Sequence, residues 1–272
     1  MATIPVLQTL LTLFAILFSL CSGSNFMITG DVLTAGQSLT YTTYNLTLQS
    51  DCNLVLRNDT TTIWQTMTGD YGSRCFLTLD SNGELTLWTR YGYPIWTSGK
   101  ESQVGTYCLV LRYDGTLHVY GPQLWISDSS SATTAGAAGM LGCPKITDSV
   151  LYSGDVAPIG TTIVNGDNEL RLQDDCNLVL TSKGDTKWET GATEHTNLHD
   201  CFVNLEANGE FRVKHWGGDI LWSNGVANSD VYAEFVLVLQ ANAKLGVYGP
   251  GIWSNAESAG VSEKIAMVTA EE

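Results

Sequence analysis

Two short stretches place residues of ligand-binding type at every second position. The first row is Gln49, Asp51, Asn53, Val55 and Arg57, within "QSDCNLVLR". The second is Gln173, Asp175, Asn177, Val179 and Thr181, within "QDDCNLVLT". Alternate residues of a β-strand face the same way, so each set forms one row on one face. Asp accepts hydrogen bonds, while Gln and Asn also donate. A row of this kind can bracket adjacent hydroxyl groups of a bound molecule with complementary bonds. A neutral hydrogen bond contributes only about 1 kcal/mol net. One row therefore binds weakly, and useful avidity needs several rows acting together.

Other chemistries find less support. Glu84 and Glu210 lie beside Asp80 and Glu206, and carboxylate pairs can serve glycoside hydrolysis. Here they read as solvated hairpin residues. No Ser-His-Asp pattern, phosphate-binding loop or metal cluster is identifiable, so the chain reads as a non-enzyme without cofactor or metal. His195 and His199 have a zinc-like spacing, but the second ligand pair a zinc site needs is missing near them. Cys52 and Cys75 are 23 apart, and Cys176 and Cys201 are 25 apart. Matching spacing at matching places predicts one disulfide in each half. Cys108 and Cys143 have no counterparts; pairing with each other, pairing with another chain, and free thiols all stay open. Two glycosylation sequons occur, Asn45-Leu-Thr47 and Asn58-Asp-Thr60. A glycan on Asn58, directly after the first row, would crowd whatever that row binds.

The elements that position these rows come in a repeat of repeats. "LTLDSNGELTLW" (77–88) matches "VNLEANGEFRVK" (203–214), and "LVLRYDGTLHVYGPQLW" (109–125) matches "LVLQANAKLGVYGPGIW" (237–253). Offsets of 124 to 128 define two homologous halves. Within each half a Trp closes every unit: Trp64, Trp96 and Trp125, then Trp188, Trp222 and Trp253. Each unit alternates apolar and polar residues around a turn, as Leu77, Leu79, Leu85 and Leu87 do around Asn82-Gly83. A unit of roughly 30 residues cannot bury its own apolar face, but three can bury theirs against one another. The six periodic Trp are therefore expected at the shared centres, with Trp88 and Trp216 outside the pattern.

Composition frames this. Lys and Arg total 13 against 28 Asp and Glu, a net charge of −15, which argues against nucleic acid or an anionic membrane as partner. Residues 1–23 read as a secretory signal, with the uncharged apolar run "VLQTLLTLFAILFSL" before small residues. No other stretch is long enough to insert in a membrane. The expected divisions are a first domain at 24–127, a flexible linker rich in Ser, Ala, Thr and Gly at 128–147, a second domain at 148–254 and a tail or propeptide at 255–272.

The internal triplication, the Trp spacing and the phrase Gln-x-Asp-x-Asn-x-Val together resemble the monocot mannose-binding, or bulb-type, lectins. "SNFMITGD" (24–31) and "DSVLYSGD" (148–155) are similar to that family's domain opening, and "VYGPQLW" and "VYGPGIW" to its close. The resemblance covers both halves. It implies an all-β chain of two tandem β-prism II domains, each of three four-stranded antiparallel sheets about a pseudo-threefold axis. It also implies one disulfide per domain, consistent with Cys52–Cys75 and Cys176–Cys201. In the family motif Asp and Asn hold sugar O2, Gln reaches O3, a closing Tyr reaches O4, and Val packs on the sugar carbons. Arg57 and Thr181 stand where the family has Tyr. The Arg57 guanidinium can donate to a hydroxyl or a carboxylate. Thr181 is too short to replace a Tyr hydroxyl in place.

The resemblance allows up to three sites per domain, and four of the six are degraded. The second rows read Asp80, Asn82, Glu84, Thr86, Trp88 and Glu206, Asn208, Glu210, Arg212, Lys214. The third rows read Arg112, Asp114, Thr116, His118, Tyr120 and Gln240, Asn242, Lys244, Gly246, Tyr248. Of these, Asp114, Tyr120, Gln240 and Tyr248 are in register with the motif and are weaker candidates. The implied partners are mannose-containing glycans or glycoproteins, with a homo-oligomer or a heterodimer of processed domains, in the secretory pathway, outside the cell or in a vacuole. The competing expectation is a storage, taste-active or protein-binding member with vestigial sugar rows.

Overall fold

The computed structural model describes residues 24–127, 149–192, 201–226 and 233–256. The expected signal, the whole of the linker and most of the tail lie outside the described residues, as do His195, His199 and Cys143.

The described chain folds as strands and turns that build six four-stranded antiparallel sheets, three in each of two bodies. The first sheet of the first body is a meander of Ser38–Tyr41, Tyr44–Leu48, Leu54–Asn58 and Thr61–Gln65. Its counterpart in the second body runs Thr162–Asn165, Asn168–Leu172, Leu178–Ser182 and Asp185–Glu189. The period-two pattern explains the strands. Leu77, Leu79, Leu85 and Leu87 are at most 1% exposed and pair as Leu77↔Leu87 and Leu79↔Leu85. Burying each such side chain contributes about 2 kcal/mol. Gly83 turns this hairpin at φ +82°, where a Cβ would stand 2.8 Å from the Tyr107 ring. The fold is the β-prism II, twice.

The third sheets correct one expectation. The strand Gly251–Ser254, from the end of the second half, pairs with Leu117–Tyr120 of the first, with Trp253 opposite Val119. In return Gln123–Ile126 pairs with Leu245–Tyr248, with Trp125 opposite Val247. The closing Trp are therefore exchanged. Trp64, Trp96 and Trp253 form the first triad, with ring centroids 5.9–6.4 Å apart and edge-on. Trp125, Trp188 and Trp222 form the second at 5.4–6.0 Å. Such edge-to-face aromatic packing adds to simple burial. Trp88 stacks on Phe76 and Trp216 is 59% exposed, so neither joins a triad.

The outer faces of the two third sheets meet between the bodies. Phe26, Cys108, Val110 and Tyr120 pack there against Val150, Val236, Val238 and Tyr248. The disulfides are Cys52–Cys75 and Cys176–Cys201, with Cα separations of 5.4 and 5.8 Å. Cys108 is a free, buried thiol in the contact between bodies.

Candidate functional site

Both first rows begin with the same tight turn. The backbone N–H of Gln49 donates to Asn53 O at 2.9 Å, and that of Cys52 to Gln49 O at 3.1 Å. The second copy repeats both bonds at Gln173 and Cys176, at 2.9 and 3.0 Å. Cys52 and Cys176 hold the left-handed region at φ 74° and 68°, in residues tied to the second sheet by the disulfides. The left-handed turn feeds the strands Leu54–Asn58 and Leu178–Ser182, which carry the rest of each row.

The Asn of each row is fixed by the end of the strand beside it and the residues that follow. Asn53 Nδ2 donates to Gln65 Oε1 at 2.9 Å, and its oxygen accepts from Thr66 Oγ1 and the Thr68 N–H, each at 3.2 Å. Asn177 Nδ2 donates to Glu189 Oε2 at 2.9 Å, and its oxygen accepts from Thr190 Oγ1 and the Gly191 N–H at 2.9 Å. Asp51 and Asp175 each accept the following Asn backbone N–H on Oδ1 at 3.0 Å, and both carboxylates are exposed. Val55 and Val179 form the floor, 1% and 6% exposed. Sequence reasoning missed Gln65, Thr66, Glu189 and Thr190, although "WQT" and "WET" recur at the same offset as the rows.

The rows differ at the position expected to hold Tyr. With its amide oxygen turned toward Arg57, Gln49 accepts from the guanidinium at 2.9 and 3.2 Å. Thr181 instead turns its hydroxyl onto the neighbouring strand, 3.5 Å from Glu169 O. The first row thus ends in a cation closed over its own Gln, and the second sits beside the carboxylate of Glu189.

The register also relocates the sequons. Asn45 pairs across the sheet with Arg57, and Asn58 with Tyr44. Directly paired residues share a face, and adjacent ones do not. Asn45 therefore stands on the face of the first row. Asn58, one residue beyond Arg57, points to the opposite face and would not carry a glycan over it.

The other four positions are filled. Asp80 accepts from the Thr78 and Thr86 hydroxyls, both at 2.9 Å, and Trp88 Nε1 donates to Thr78 at 2.9 Å. In the second body Arg212 pairs with Glu206 at 3.0 Å and with Glu210, and Lys214 reaches Glu206 at 3.5 Å. The bond from Arg212 holds the Glu210 carboxyl below its usual range. Of the weaker candidates, Tyr120, Gln240 and Tyr248 are buried at or near the contact between bodies, while Asp114 stays exposed. Arg112 Nη1 donates to Tyr120 Oη at 3.0 Å and to Glu234 of the second body at 2.6 Å. Gln240 Nε2 donates to Tyr248 Oη at 2.6 Å. A Cβ on Gly246 would stand 2.7 Å from the Tyr248 ring, so the Val of the motif does not fit there.

The architecture is that of a two-domain β-prism lectin. No protein-family model matches the chain. Mannose-specific lectin 2 of Colocasia esculenta is 31% identical over 246 residues, 89% of this chain and 88% of its own length. Mannose-specific lectin 2 of Crocus vernus is 32% identical over 266 residues, 95% and 98% of the two chains. Among solved structures, the fetuin-binding two-domain agglutinin of Scilla campanulata superimposes with a TM-score of 0.72 at 27% identity, covering 85% of this chain and all of that one. This chain belongs to the monocot mannose-binding lectin family.

Proposed function

We propose that the chain binds mannose or mannose-containing glycans through Gln49, Asp51, Asn53, Val55 and Arg57 and through Gln173, Asp175, Asn177, Val179 and Thr181. The observation that carries this is the Asn of each row. It makes three hydrogen bonds to the end of an adjacent strand and the residues just after it in both bodies, while the neighbouring Asp leaves its carboxylate exposed. A preorganised amide beside an open carboxylate suits a vicinal diol, because the ordering cost is met before binding. The names of the relatives point to the same sugar. Each row is weak alone, and the chain acts multivalently through its two rows and through further rows brought by oligomerisation. The two disulfides fit passage through an oxidising compartment to the cell exterior or a vacuole.

Calorimetric titration with methyl mannoside and a high-mannose glycan tests the reading. Wild type should bind both, and Asp51→Ala with Asp175→Ala should abolish binding. A wild type that binds neither ligand, or a double variant that binds both unchanged, removes the proposal.

A further inference from the structure

The two bodies are near copies, so a place where they differ in shape and charge together points to an added function. One such place is an open cleft of about 640 Å³ in the second body, where the turn at Gly166 and Asp167 and the tip at Lys183 face the turn 241–244. In the first body the corresponding corner is closed by aromatic rings. Tyr41 and Tyr44 pack against the core there, and a Cβ on Gly115 would stand 2.2 Å from the Tyr44 ring. At the same offset of 124 the second body has Asn165 and Asn168. Both are at most 4% exposed, and their amides donate to Leu239 O at 2.8 Å and to Ala241 O at 3.0 Å. Two rings have been replaced by two short amides, leaving a polar hollow.

The charge of the corner is also inverted. Asp59 becomes Lys183, Ile63 becomes Lys187 and Thr116 becomes Lys244, and all three lysines line the cleft. Against them stand Asp167 in the lining and Asp185, 3.6 Å from Lys187. In a chain of net charge −15 this is a local concentration of ammonium groups. Trp188, half-buried, adds an aromatic wall. None of Gln173, Asp175, Asn177, Val179 and Thr181 lines the cleft.

We propose that this cleft is a separate binding site for an anionic saccharide, a sugar ring bearing a sulfate or carboxylate group. The lysines supply charge-assisted donors to the anion, the exposed amide of Asn242 in the lining meets hydroxyls, and the indole packs on the ring carbons. The site is independent of the mannose rows.

The test is calorimetric titration of the full chain with galactose 6-sulfate, galacturonate and galactose. At least one of the two anions should bind at least tenfold more tightly than galactose, and which one binds identifies the charged group. Lys183→Asp with Lys187→Ile installs the residues of the first body at two exposed positions and should weaken anion binding at least tenfold, leaving methyl mannoside binding unchanged. Asn168→Tyr should close the cleft and give the same loss without altering charge. Equal binding of galactose and both anions, binding of neither anion, or full affinity in the Lys183→Asp, Lys187→Ile variant would overturn the proposal.

Discussion

Trp253 lies edge-on against Trp64, with ring centroids 6.4 Å apart, although one residue belongs to the end of the second half and the other to the first unit of the first. The contact follows from the exchanged strands. It makes the core of each body depend on residues far away along the chain.

Trp253→Ala should therefore destabilise the first body more than the second. Removing a buried Trp costs about 3–5 kcal/mol. Hydrogen exchange should show protection lost first in Leu117–Tyr120, whose partner strand carries Trp253. Loss confined to residues 149–248 would contradict the exchange.

Arg57→Tyr with Thr181→Tyr should raise methyl mannoside affinity. One additional neutral hydrogen bond per row is worth about 1 kcal/mol, roughly fivefold in affinity. In the first row the change also removes the guanidinium that engages Gln49. Unchanged calorimetric affinity would mean that the rows are read by another ligand.

Asp31 gives the chain a pH dependence. It is 6% exposed, and burial raises its pKa from 3.8 to about 6, opposed by the Ile28 N–H that it accepts at 2.9 Å. A carboxyl with a folded pKa above its unfolded value favours folding in its protonated form. Its contribution is fully present below about pH 4 and is lost as pH rises through about 6. Asp31→Asn should therefore be more stable than wild type at pH 7.5, by about 2–3 kcal/mol, and equal to it near pH 4. Denaturant melts at the two pH values check this, and equal stability at both would refute it.

Glycosylation should act through Asn45, not Asn58. In protein expressed where both sequons are modified, Asn45→Gln should raise mannoside affinity of the first row several-fold. Asn58→Gln should leave it unchanged, since that side chain faces away from the row. The reverse result would place the row on the other face.

Much of this was legible in the sequence. The alternation around Asn82-Gly83 predicts its hairpin, and the Cys spacing predicts both disulfides. Which triad each closing Trp joins was not legible. "VYGPQLW" and "VYGPGIW" are nearly interchangeable, so local pattern cannot tell a strand that stays from one that crosses. The rows themselves could be read from period two. The bonds that lock Asn53 come from Gln65, Thr66 and Thr68, and a register shift beside Arg57 separates that strand from any simple count. The weaker candidates Tyr120 and Tyr248 match the motif by letter, but their burial depends on how the two bodies meet, which no single strand encodes.

The exchanged strands also reverse the expected consequence of damage to the gene. A premature stop just before Gly251 would spare the three sheets of the second body and strip the outer strand from the third sheet of the first. The backbone of Leu117–Tyr120 would then become a bare sheet edge, a template for aggregation. A lesion at the end of the message would be felt in the part of the protein translated first.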